Sequence, residues 1–207
     1  MKKKLYEEYP ILIKAINFIN ISNGESNHLP YHGIDHLFSV FQMCYEILHY
    51  NKSYEYDVNY KLELYIAALF HDYAHSGGKL SDAENIINAL DGVMLFHKAN
   101  PEFDLNIVVQ IIKATEYPYT ISDAEITLLE QKIIRDADMC YLFQPLSIVK
   151  LYCGLRNEFG TDYNTFLNNQ YNFLNGVTFY TEYHNNLWLE TVKEYRLNEL
   201  EMLKQYV

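Results

Sequence analysis

The stretch LYIAALFHDYAH, residues 64–75, is apolar for seven residues and then turns to imidazole and carboxylate. Extended upstream to residue 58, its apolar residues fall at Leu62, Tyr65, Ile66, Leu69 and Phe70. That is the spacing of one helix face. The expectation is a buried helix over 58–75 that delivers His71, Asp72 and His75 at its end, with Ser76, Gly77 and Gly78 breaking it just beyond. Neighbouring residues point about 100° apart on a helix. His71 and Asp72 therefore converge on one point only where the helix ends or distorts. Two imidazoles and a carboxylate after a buried apolar run are costly unless paired or bound to a metal.

The same construction recurs on both sides. Upstream, YHGIDH (31–36) places His32 and His36 four residues apart, on one face of a helix if the helix begins there. The helix expected over 32–50 has its stripe at Leu37, Val40, Phe41, Cys44, Ile47 and Leu48. Downstream, IIRDADMCY carries Asp136 and Asp138 at the end of a third apolar run. Nitrogen and oxygen donors together suit divalent Zn, Mn, Fe, Mg or Ni. Each patch alone has a plain structural reading; the three in this order point to a metal site.

The remaining polar candidates are weaker. Glu84 and Asn85 could face the site from the next helix, although a capping box with Ser81 explains Glu84 equally well. Asp35 points away from the His32–His36 face. His28, His49, His97 and His184 lie in polar surroundings and read as structural or solvent-facing, with His97 a remote candidate.

Bulk properties narrow the function classes. The chain has 207 residues, 49% apolar, with only 8 Gly and 5 Pro, enough for one sizeable core. Its net charge of −11 disfavours long nucleic acid, whose phosphates need clustered Lys and Arg, and welcomes cations. Cys44, Cys140 and Cys153 have no paired spacing, so neither a disulfide framework nor a thiolate zinc site is expected. No secretory signal and no membrane-length apolar run is read; the expected location is the cytoplasm.

Helical patterning extends over nearly the whole chain. A helix is expected over 10–20 with Pro10 in its first turn, a loop over 22–31, a helix opening at Ser81, and a break at 100–104. Residues 105–115 are β-branched enough to pass for a strand, but the stripe Ile107, Ile111, Ile112 suits a buried helix. A turn with Ser122 as the next cap leads into a helix through Met139, another follows Pro145, and a last long one spans about 178–205. No repeat, phosphate-binding glycine loop or linker is evident. The fold expected is all-α: a single compact helical bundle over 1–207, with a motif core at about 30–145 and C-terminal helices at about 146–207.

These residues resemble the HD superfamily of metal-dependent phosphohydrolases. YHGIDH is similar to the Tyr-His-Asn-x-x-His motif of cyclic nucleotide phosphodiesterases and some bacterial HD hydrolases, with Gly33 where Asn is usual. AALFHDYAHSG resembles their Ala-Ala-x-x-His-Asp-x-x-His-x-Gly stretch. DADMC resembles their Ala-Asp-Leu-Ser segment, which aligns Asp138 rather than Asp136 with the metal ligand. The resemblance implies an HD-type bundle in which His36, His71, Asp72 and Asp138 hold a first divalent ion, with Asp72 bridging to a second. It implies His32 as the general acid and His75 as the residue that orients the attacking water or a phosphate oxygen. The implied activity is hydrolysis of a small phosphoester, a nucleotide or cyclic nucleotide. Two other readings stay open: a di-iron HD-domain oxygenase, and a helical module that binds metal or ligand without turnover.

Overall fold

The computed structural model describes residues 2–50, 59–145 and 147–205 of the chain. Among them the regular structure is helical, and no strand occurs. The elements are α1 (Lys2–Glu8), α2 (Ile11–Ser22), α3 (Ile34–Tyr50), α4 (Lys61–Phe70), α5 (Asp82–Ala99), α6 (Leu105–Lys113) and α7 (Leu129–Asp138). Then come α8 (147–158), α9 (Tyr163–Gly176) and α10 (182–204), of which α8 and α10 each contain a π-helical stretch, Lys150–Leu155 and Trp188–Val192. Short 3-10 turns follow α2 at Gly24–His28 and α7 at Met139–Phe143.

Helix α4 is the axis of the first layer. Every side chain from Leu64 to Phe70 is buried, and α2, α3, α5, α6 and α7 pack around it. Burying a side chain such as Leu69 or Phe70 contributes about 1.5–3 kcal/mol. Its N-terminal donors Asn59 N–H and Tyr60 N–H are accepted by Glu130 Oε1 of α7 at 3.0 and 2.8 Å. Helix α3 buries the stripe expected of it, with Met43 and His36 added. Residues 105–113 are helical, started by Asp104, whose Oδ1 accepts from Asn106 N and Ile107 N. The Ser81–Glu84 capping box forms as expected.

A second apolar cluster joins α8, α9 and α10 through Leu151, Phe166, Leu174, Trp188 and Leu200, and Tyr31 packs against both clusters. The buried Arg196 ties it to the 3-10 turn through Leu142 O and Gln144 O, both at 2.7 Å.

Among the helix boundaries that differ from the sequence expectation, two shape the site. Helix α4 ends at Phe70, not His75: Tyr73 N–H donates to Phe70 O and His75 N–H to Asp72 O, closing two tight turns. Ala74 in that segment has φ 56°, a left-handed conformation costly for a residue with a Cβ. It is held there because Ala74 N donates to Asn23 Oδ1 at 2.6 Å and Ala74 O accepts from Asn88 Nδ2 at 3.3 Å. Helix α3 starts at Ile34, so His32 lies before it in a turn. Gly33 is required there, since a Cβ would fall 2.3 Å from Leu29 O. Helix α7 starts at Leu129, well after Ser122, which instead bonds Glu125 in a local turn.

Candidate metal centre

The early end of α4 resolves the convergence problem. His71 leaves the helix end with helical backbone angles and Asp72 turns after it. His36 comes from the first turn of α3 and Asp138 from the last residue of α7. Their tips meet. His36 Nε2 lies 2.9 Å from Asp138 Oδ1 and 3.3 Å from Asp72 Oδ2. His71 Nε2 lies 3.3 Å from Asp72 Oδ2, 3.3 Å from Asp138 Oδ1 and 3.3 Å from His36 Nε2.

Those separations suit one ion. Ligands at about 2.0–2.2 Å stand roughly 3.3–3.6 Å apart in a tetrahedron and about 2.8–3.1 Å apart as octahedral neighbours. The donor set agrees. His71 Nδ1 donates to Ala68 O at 3.0 Å, which leaves the Nε2 lone pair pointing at the cluster, as an outer-sphere acceptor does for a ligating histidine. The imidazoles of His36 and His71 are buried, whereas the carboxylates of Asp72 and Asp138 remain 15% and 22% exposed. The cluster therefore has a closed imidazole back and opens on its carboxylate side.

Electrostatics point the same way. Burial opposes charging His71, but Asp72 and Asp138 overcome it and push its pKa up to about 10. His36 is likewise raised, against burial, by its bonds to Asp138 and Asp72. Burial would raise both carboxyls, yet the two imidazoles hold Asp138 down at about 2 and Asp72 well below the usual range. Without an ion this network has to be held together by protons on the imidazoles. Two Nε2 atoms 3.3 Å apart avoid repulsion only when at least one carries a proton shared with its neighbours. One divalent cation among the four atoms satisfies both lone pairs and offsets both carboxylates.

A second group adjoins the first. Glu158, at the end of α8, sends Oε1 to Tyr31 N and His32 N and Oε2 to His32 Nδ1 at 2.6 Å. The Glu158 side chain is 1% exposed. Burial works against its ionised form, and the bond from His32 outweighs it and lowers its pKa. The His32 ring stacks on His75 with centroids 3.8 Å apart, and it lies 5.9 Å from the ring of His36. His75 Nδ1 accepts from Gly77 N at 3.1 Å, and its Nε2 lies 3.1 Å from Asn85 Nδ2. Burial lowers the His75 pKa to about 4, keeping the ring neutral.

All of His32, His36, His71, Asp72, His75 and Asp138 thus fall in two adjoining groups. Asp136 does not join them: its carboxylate accepts from Tyr180 N and Thr181 N, fastening the start of α10 to α7. Asn85 reaches His75 while Glu84 only caps α5, and Asp35 is exposed. His97 Nε2 lies 3.2 Å from Phe103 O, and His49 Nδ1 2.7 Å from Tyr45 O. His184 is buried among Phe143 and Phe179, and His28 lies in the 3-10 turn. Glu158 was not read from the sequence. It stands 126 residues from His32 in a segment without motif spacing, and only the fold pairs them. A cavity of about 520 Å³, lined by Tyr6, Phe38, Tyr45, Tyr141 and Lys150 among others, contains none of these ligand residues.

No protein-family model matches the chain, and no curated protein and no solved structure matches it. The geometry itself defines the class: an all-helical domain with a buried His/Asp cluster able to hold a metal ion. No helix among the described residues is long and apolar enough to cross a membrane.

Proposed function

We propose that this chain is an HD-type metal-dependent phosphoric ester hydrolase. Its substrate is a small phosphorylated molecule, a nucleotide or cyclic nucleotide. One observation carries the reading: a cluster of four His and Asp side chains able to hold a cation lies beside a histidine locked to a buried carboxylate, His32 to Glu158 at 2.6 Å. Phosphoester hydrolysis needs those two parts next to each other.

His36, His71, Asp72 and Asp138 would hold the ion, and Asp72 would bridge to a second. A bound divalent cation supplies charge neutralisation of phosphoryl oxygens and brings the pKa of a water down towards neutrality. The chain's own residues do the rest. The bond to Glu158 fixes the proton on His32 Nδ1 and leaves Nε2 to give its proton to the departing oxygen. His75, kept neutral, positions the attacking water or a phosphate oxygen. The opening on the carboxylate side admits the substrate.

A di-iron oxygenase would call on further histidines between Asp72 and Asp138. Of the two present, His97 lies outside both groups, with its Nε2 at Phe103 O, which favours the hydrolase over it. The test is turnover of nucleotides, cyclic nucleotides and phosphomonoesters with Mn, Mg, Zn, Fe or Ni supplied. Asp72→Ala should lose both metal and turnover. His32→Ala should keep the metal and lose about 10²–10⁴ in rate. Full rate in His32→Ala removes its acid role, and silence of the wild type across the panel leaves a non-catalytic binding module as the better reading.

A further inference from the structure

The cavity of about 520 Å³ borders the metal centre through one side chain. The Tyr141 ring lies 5.2 Å from the ring of His36 and also lines the cavity. None of the residues of the two His and acid groups lines it. It is built instead from α1, α2, the outer face of α3, the 3-10 turn after α7 and the start of the π-helical stretch of α8. Its volume falls within the about 300–1,000 Å³ of small-molecule sites.

The lining is aromatic. Tyr6, Phe38, Phe41, Tyr45 and Tyr141 contribute rings, and Leu5 and Ile16 add aliphatic surface. The polar groups among them lack partners. Tyr141 is 2% exposed, and its hydroxyl has no hydrogen-bond partner. Ser39, also in the lining, lies close enough to act on that hydroxyl electrostatically but makes no bond of acceptable geometry with it. A buried hydroxyl without a bond is costly. Lys150 Nζ lies 5.3 Å over the Tyr141 ring, so the cation and the unbonded hydroxyl share one wall. Among the described residues neither Lys150 nor Asp35 makes a salt bridge. Both also line a second cavity of about 390 Å³ beside Pro30 and Tyr31, so they stand where the two cavities meet.

Opposite charges that line one space without pairing suit a ligand that carries both. We propose that the larger cavity binds a free aromatic α-amino acid. Its carboxylate accepts from Lys150 Nζ and Tyr141 Oη, and its ammonium donates to Asp35. Its ring lies among Phe38, Phe41 and Tyr45, where aromatic contacts add to burial. A purely apolar ligand would leave the Tyr141 hydroxyl unbonded, and a simple carboxylate would meet the negative Asp35 without an ammonium to offset it. The proposal stands apart from the hydrolase reading, because it uses no residue of the metal centre.

Calorimetric titration of phenylalanine, tyrosine and tryptophan into the full chain loaded with metal tests it. Alanine has the same amino and carboxylate groups without a ring, and so controls for capture by the metal ion. The wild type should bind at least one of the three aromatic amino acids and bind alanine far more weakly. The analogues of that ligand lacking the amino group or the carboxylate should each bind about tenfold more weakly or worse, the worth of one hydrogen bond to a charged group. Lys150→Ala and Tyr141→Phe should each weaken binding by a similar factor, with metal content and circular dichroism unchanged. No binding of any of the three by the wild type, native affinity in either variant, or alanine bound as tightly as the aromatic amino acids overturns the proposal.

Discussion

Replacing Glu158 with Gln changes one oxygen to an amide nitrogen and so tests how His32 works. In the native arrangement Oε1 accepts from Tyr31 N and His32 N, and Oε2 accepts from His32 Nδ1 at 2.6 Å. A glutamine carbonyl can keep the two backbone donors, but its NH₂ then faces His32 Nδ1. The ring must move its proton to Nε2 and accept from the amide, and the doubly protonated form that serves as an acid loses its partner. The expected loss in kcat is about 10²–10⁴. Stability falls too, because bonds to a charged acceptor become bonds to a neutral one. At about 1 kcal/mol lost for each of the three, the total is roughly 2–4 kcal/mol. For a chain of this size that is a drop in Tm of about 4–16 °C. Metal content should not change, since Glu158 bonds none of the four tetrad residues among its described contacts. The assays are steady-state kinetics over a range of pH, elemental analysis and thermal melting. A Glu158→Gln variant with native kcat and an unchanged pH profile refutes the assigned role of the pair.

The two neighbouring aspartates should part ways. Asp138→Asn should abolish stoichiometric metal binding and leave the fold intact, whereas Asp136→Ala, which leaves Tyr180 N and Thr181 N without their acceptor, should cost about 2–6 kcal/mol of stability, at about 1–3 kcal/mol for each buried donor left unpaired; elemental analysis and urea titration read the two. The metal-free protein should lose stability as pH rises. His71, pushed up to about 10, contributes fully below about pH 6.5 and loses that contribution as pH approaches its folded value, at up to about 1.4 kcal/mol per pH unit. Asp138, held down at about 2, contributes above about pH 4 and loses its part as pH falls through its folded value. Urea midpoints of metal-free and metal-loaded protein between about pH 6 and 9 check this, and the loaded form should show no decline at the alkaline end. Gly92→Ala should destabilise by about 1–3 kcal/mol, because a Cβ there falls 2.2 Å from Tyr73 Cδ1 and would push on the turn that carries Asp72 and His75.

Much of the site was legible because its ligands lie in short motifs at the ends of apolar runs. The run Leu64–Phe70 announces burial, and the polar residues after it must then have partners. The helical reading of 105–113 also held, since the stripe outweighed the β-branched content. What periodicity could not give was where the helices stop. Nothing local shows that α4 ends at Phe70, because the end is imposed by Asn23 and Asn88 holding Ala74 in a left-handed conformation. Nor could spacing place His32 outside α3, where it is pinned from α8. Glu158 was invisible for the same reason. Its partner, His32, is distant in sequence, and only packing brings them together.

The central claim is that four side chains from three helices share one cation. Anomalous diffraction from crystals grown with zinc or manganese tests it most directly. The account predicts one dominant peak at about 2.0–2.3 Å from His36 Nε2, His71 Nε2, Asp72 Oδ2 and Asp138 Oδ1 together. A saturated crystal with no peak among those four atoms, or with its dominant peak elsewhere, contradicts it.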